Sequence, residues 1–137
     1  MPRTTALRTL FVLVIFSGGF ATGLLAQGRT DSPRRVEQKR TDLSGAPDME
    51  VISSISEFQP GESTERHFHH GIEAGYVIQG TTVQYPGKEP QQIATGTPLL
   101  NLRDVKHSGY TVVGPASLKI FTVHVVDKGK PLYEFVD

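Results

Sequence analysis

The chain is predicted to fold as an all-β sandwich or barrel of antiparallel strands. From Met49 onward, short runs rich in Val, Ile, Thr, Tyr and Phe alternate with Pro and Gly punctuation about every ten residues. No segment sustains a helical apolar period over three turns. A length of 137 residues sets the prior at one domain.

The first element is not expected to belong to that domain. Met1 to Thr9 carries Arg3 and Arg8 and no acid, and it runs into "LFVLVIFSGGFATGLLA", which ends in small residues before Gln27. A basic start, an apolar centre and a small-residue exit predict a secretory signal peptide over residues 1–26, cleaved after Ala26 or, as the alternative, Gly28. A permanent anchor is the competing reading. Leu10 to Ala26 is 17 residues, about 26 Å as a helix, against a hydrocarbon core of roughly 30 Å. Ser17, Gly18, Gly19, Thr22 and Gly23 dilute it further, so cleavage is favoured and no stable membrane span is expected afterwards. The expected location is periplasmic or secreted.

Export changes the charge balance. Arg3 and Arg8 leave with residues 1–26 while all 14 acidic side chains stay, so the 14 basic residues become 12 and the net charge falls from 0 to −2. That surface, with no long basic run, argues against nucleic acid as a partner. With no cysteine, neither a disulfide nor a thiolate metal ligand is available.

Residues 27–46 are charged and nearly free of large apolar side chains. The first half is expected to be a solvated linker, the second, from about Val36, a possible edge strand. Residues 47–137 form the predicted barrel domain. Its strands are expected in "MEVISSISEF", "AGYVIQ", "TTVQY", "QQIA", "YTVV" and "SLKIFTVHVV".

Within this domain "RHFHHGIEAG", residues 66 to 75, holds three of the five histidines and a glutamate. Side chains of a strand alternate faces, so His67 and His69 point one way and His70 the other. Glu73 returns to the side of His67 and His69 if Gly71 and Ile72 make a short bend. Neutral imidazoles with a carboxylate suit a first-row divalent metal. His124 follows Ile120 and Thr122 on one strand face and is expected to be a barrel-wall histidine rather than a ligand. Tyr76, Tyr85 and Phe121 are expected in the core, with the pocket lining as the alternative.

The framing of the cluster is more specific. Gly61, five residues, His67, one residue, His69, three residues, Glu73, six residues and Gly80 reproduce the first motif of the cupin superfamily, which the chain resembles over about Val51 to Val126. Gly96 and His107 stand where the family's second motif has its first glycine and its ligand histidine. The rest of that motif departs: Leu102, Asp104 and Thr111 replace the usual proline, glycine and asparagine. Asp104 is expected to take the left-handed turn that a glycine would make.

The resemblance implies a cupin jelly-roll barrel of antiparallel strands with one divalent transition metal, Fe, Mn, Cu, Ni or Zn, held by His67, His69, Glu73 and His107. It suggests a metal-dependent dioxygenase or oxidoreductase acting on a small enediol, diketone or flavonol-like substrate, in the manner of quercetin dioxygenase-like cupins, with Glu73 doubling as proton acceptor. The alternative is a non-catalytic periplasmic cupin that binds metal or a small ligand. No convergent set of Lys and Arg for a sugar phosphate is visible in the sequence. Secretion in an unfolded state would load the metal outside the cytoplasm, where intrinsic affinity favours Cu and Zn over Mn and Fe. A homodimer is expected, through the edge from Val36 to Leu43 or the tail "PLYEFV".

Overall fold

The two strands with the clearest alternation form the centre of the molecule. The structure is a computed structural model and describes residues 29–136; the expected signal peptide lies outside the described residues. In chain order the strands are β1 (Val36–Asp42), β2 (Met49–Phe58), β3 (His67–Phe68), β4 (Gly71–Gln79), β5 (Thr81–Gln84), β6 (Gln91–Ile93), β7 (Pro98–Asn101), β8 (Thr111–Val112), β9 (Leu118–Asp127) and β10 (Glu134–Phe135). In β2 and β9 every second residue is buried, as half-buried strands require. They pair antiparallel without a slip from Met49↔Asp127 to Phe58↔Leu118.

Around this pair the larger sheet is built in the order β1-β2-β9-β4-β7, with every pairing antiparallel. A three-stranded sheet, β6-β5-β8, and the short pair β10-β3 complete the barrel. Phe58, Val77, Val83, Tyr110, Val112, Leu118 and Ile120 form the core between the sheets. Each such aliphatic or aromatic side chain contributes about 1.5–3 kcal/mol relative to exposure.

Two expectations about the chain change. Residues 29–35 are not a solvated linker: Ser32 is buried and its Oγ donates to the Glu57 carbonyl at 2.5 Å, while the Arg35 guanidinium lies over the Tyr133 ring at 5.7 Å. Long-range contacts to β2 and the C-terminal segment compensate for this stretch's polar composition. From Val36 the chain continues as β1, an edge strand with all seven residues exposed. The second change is β7, absent from the expected strands. It is a short edge strand with Pro98 at its first position, where the missing N–H costs no ladder bond.

The bend after the histidines also sits elsewhere than expected. It falls at His70, and Gly71 and Ile72 already belong to β4. Gly71 packs against β9 so closely that a Cβ there would lie 2.1 Å from the Val125 carbonyl oxygen and 2.6 Å from Val126 Cα. Gly80 is similarly confined, with a Cβ placed 2.2 Å from the Ile93 carbonyl oxygen. Backbone atoms on the opposing strands cannot rotate away as a side chain would. Gly71→Ala should therefore destabilise the fold by about 2–3 kcal/mol, read as a lowered denaturation midpoint with unchanged m-value; an unchanged midpoint would show that β4 and β9 are farther apart.

Candidate metal centre

Two backbone ladders bring the polar cluster together. His67 and His107 form an antiparallel bridge, with His67 N–H donating to the His107 carbonyl at 3.2 Å and His107 N–H to the His67 carbonyl at 2.9 Å. On the opposite wall Glu73 sits in register with His124 of β9 on one side and Asn101 of β7 on the other. Asp104 adopts the left-handed conformation expected of it, φ 60°, and its N–H donates to the His69 carbonyl at 2.9 Å. The turn thus holds together despite the departures at Leu102 and Thr111.

The strand-parity expectation holds. His67 and His69 are buried, whereas His70 turns away to Asp104 and Glu134, each at 3.3 Å. His107, from the β7–β8 connection, completes the cluster: its Nε2 lies 3.1 Å from His69 Nε2 and 3.3 Å from Glu73 Oε2. His69 Nε2 stands 3.3 Å from the same carboxylate oxygen. The ligand nitrogens of His67, His69 and His107 all lie within 4.8 Å of one another, and so do the donor atoms of His69, Glu73 and His124.

The other ring nitrogens decide what these atoms can do. Nδ1–H of His67 donates to the Glu65 carbonyl at 2.9 Å, that of His69 to Leu132 at 2.5 Å and that of His107 to Val105 at 3.0 Å. A neutral imidazole whose Nδ1 carries the proton presents a lone pair at Nε2, the arrangement found where histidine binds metal. Burial pushes His67 down to about 4, with His107 and His69 adding to the effect against the Glu65 carbonyl, so its ring is neutral at physiological pH. Burial also lowers His124, against the opposing pull of Glu73. For Glu73, burial pushes the carboxyl up, but the imidazoles of His107, His124 and His69 around it outweigh that and hold the group well below the usual carboxylate range. For His107 the burial penalty is likewise outweighed, by Glu73 and the Val105 carbonyl, and its ring is raised.

Lone pairs facing one another at 3.1–3.3 Å repel unless a proton or a metal cation lies between them. Ligands about 2.1 Å from a metal lie about 3.0 Å apart at a right angle and about 3.4 Å apart at the tetrahedral angle. The donor types, and the separations among His69, His107 and Glu73, therefore fit a divalent transition metal, with His67 within 4.8 Å of the other two histidines. Such a metal can be held by the three histidines and the glutamate present here.

Three participants were not singled out from the sequence. His124, expected only as wall, is fully buried with Nε2 3.4 Å from Glu73 Oε1, and neither ring nitrogen has a hydrogen-bond partner among the described residues. Its parity with Ile120 and Thr122 already pointed inward; its registry with Glu73 was not readable. Asn101 donates from Nδ2 to Glu73 Oε2 at 2.7 Å. Asp31, from the segment before β1, lines the inner cavity and accepts from Ser56 Oγ at 3.2 Å. The C-terminal segment forms the back of the site: besides the Leu132 carbonyl, Tyr133 packs edge-on against His67 and His69 at 5.0 and 5.1 Å, and β10 is paired with β3.

The inner cavity, ≈ 140 Å³, lies between the cluster and the core, with His67, Glu73, His107 and Asp31 facing Phe58 and Ile120. Of the expected aromatic residues only Tyr85 lines it, while Tyr76 and Phe121 face outward.

A small antiparallel double-sheet barrel with histidines and a glutamate at its mouth defines a metal-site β-barrel class. Residues 54–124 match the cupin domain family, and the chain belongs to it. No curated protein gives a significant match. Among solved structures, a protein with a double-stranded β-helix domain from Klebsiella pneumoniae is similar at 19% identity and TM-score 0.53, over 80% of this chain and 88% of that one. The polyketide cyclase RemF from Streptomyces resistomycificus is similar at 20% identity and TM-score 0.51, over 79% and 78%. The DMSP lyases RdDddP and RnDddQII give 12% identity and TM-score 0.50 over 64% of this chain, which spans 44% of theirs. Likeness at these identities concerns the fold alone.

Burial, helped by the charge of Glu73, raises the Asp31 carboxyl, against the nearby Tyr133 hydroxyl, the charge of Arg35 and the hydrogen bond from Ser56. A carboxyl raised in the folded state subtracts stability above its folded value and subtracts nothing below the unfolded value of 3.8. Asp31→Asn in metal-free protein should therefore raise Tm at pH 7, by a margin that shrinks on acidification through the Asp31 range. A margin independent of pH would contradict this.

Proposed function

We propose that His67, His69, Glu73 and His107 hold one divalent transition metal and that the protein is a metal-dependent, dioxygenase-like oxidoreductase acting on a small enediol or diketone. The observation that carries the proposal is the convergence of imidazoles with Nδ1–H committed to carbonyls on a carboxylate beside an inner cavity. When bound, the metal supplies a Lewis acid and, if redox-active, a centre for dioxygen chemistry. Four protein donors would leave a six-coordinate metal two positions for substrate and oxygen. Asn101 holds one oxygen of Glu73 by a hydrogen bond while His124 lies beside the other, and Glu73 is the proposed proton acceptor. A cavity of ≈ 140 Å³ is close to the size of those that admit a single six-membered ring, so a flavonol would have to extend beyond it.

Protein reconstituted separately with iron, manganese, copper, nickel and zinc should bind one metal per chain and consume oxygen with a single redox metal on one member of an enediol, diketone and flavonol panel. His69→Ala should lose both properties. Stoichiometric metal without turnover would replace the enzyme by a non-catalytic binding cupin, and no metal in either protein would remove the site.

We further propose that the protein is exported and cleaved after Ala26 and that the mature chain is a dimer. The dimer proposal is supported by a cross-strand row on the outer sheet face, Val36–Ile55–Phe121–Tyr76, three of whose members are exposed. The two edges expected to pair are poorer candidates: β1 carries charges of both signs, and the tail strand is taken up by β3. Protein isolated from the extracytoplasmic fraction should begin at Gln27 and scatter light as a dimer that Tyr76→Lys dissociates; an intact Met1 or a monomer would reject the respective half.

A further inference from the structure

Five of the twelve lysine and arginine side chains among the described residues have no carboxylate of those residues within ion-pair distance: Lys39, Arg66, Lys88, Lys106 and Lys130. Three of these five, Arg66, Lys88 and Lys106, line a single open recess of ≈ 560 Å³. They arrive from three separate segments: Arg66 precedes β3, Lys88 follows the Gly87 turn between β5 and β6, and Lys106 precedes His107 in the β7–β8 connection. No acidic side chain lines the recess among the described residues, and Gln91 adds an amide. The separate Lys and Arg positions thus converge in space although no such set was visible along the chain.

The recess is continuous with the metal centre. Tyr85, His107 and Ser108 line both it and the inner cavity. The two compartments differ in charge, since the inner one holds the carboxyl groups of Asp31 and Glu73 and the outer one holds three cations. Like charges around a common space repel, and an anion between them removes the penalty. A divalent metal on Glu73 would balance the two inner carboxyl groups, so the outer recess alone keeps its positive charge for a second negative group, which fixes the direction in which a two-ended molecule lies.

We propose that the outer recess is an anion subsite, holding the carboxylate or phosphate of a small substrate whose other end passes His107 into the inner cavity. The substrate class is then an anionic enediol or ketone, not a neutral one. This assignment of substrate rests on the inner cavity being the reaction centre, but the subsite itself is testable without metal.

The test is titration of the metal-free protein with inorganic phosphate, succinate and neutral succinamide, followed by amide NMR. Phosphate or succinate should shift Arg66, Lys88 and Lys106 to Gly109 at concentrations where succinamide does not. The Arg66→Gln Lys88→Gln variant, altered only at exposed positions, should keep the wild-type denaturation midpoint and bind at least about tenfold more weakly. Stronger binding of phosphate assigns a phosphorylated substrate, and stronger binding of succinate a carboxylated one. Shifts spread equally over Lys39 and Lys130, equal response to succinamide, or undiminished binding by the variant would overturn the proposal. Metal uptake measured in parallel separates the two ideas: anion binding without metal uptake removes only the metal centre, and metal uptake without anion binding removes only the subsite.

Discussion

Imidazole nitrogens that face each other and a carboxylate inside a barrel are an electrostatic liability unless a cation joins them, and much of the structure exists to hold them there. Each of three rings is oriented by a main-chain carbonyl from a different part of the chain, Glu65, Val105 and Leu132. Those carbonyls act by giving the ring proton a fixed place, which leaves the opposite nitrogen as an acceptor. The His67–His107 bridge, the left-handed Asp104 and the closing segment after β9 are the backbone features that deliver them.

The wall opposite is rigid for a different reason. Glu73 is placed by a strand with neighbours on both sides, so its position is set by two hydrogen-bonded ladders rather than by a loop. His124, Glu73 and Asn101 make one inward row across β9, β4 and β7. A carboxylate so held loses little side-chain entropy on meeting a cation, because the neighbouring groups have already confined it.

What could be read along the chain was what repeats locally. The period-two pattern of "MEVISSISEF" coincides with β2, and "SLKIFTVHVV" is shifted by one residue from β9. Parity separated His67 and His69 from His70, and the spacing from Gly61 to Gly80 carried the family. What could not be read depends on pairings between distant segments. Asn101 matters because β7 lies beside β4, His124 because its register partner is Glu73, and Asp31 because a polar stretch that looked solvated packs beside β2. The charged recess belongs to the same group, since Arg66, Lys88 and Lys106 are scattered in sequence and meet only after the barrel closes.

The position of β9 has a consequence for the order of assembly. It is the middle strand of the larger sheet, flanked by β2 and β4, yet it is the second-last strand of the chain. Its pairings therefore close long loops, and topologies dominated by such non-local contacts fold slowly. The Leu132 carbonyl that orients His69 comes later still. During synthesis the ligand segment is made well before the strand that encloses it, so the nascent chain passes through a stage in which the histidines are present but not aligned. The converged donor set belongs to the finished barrel and not to the emerging polypeptide.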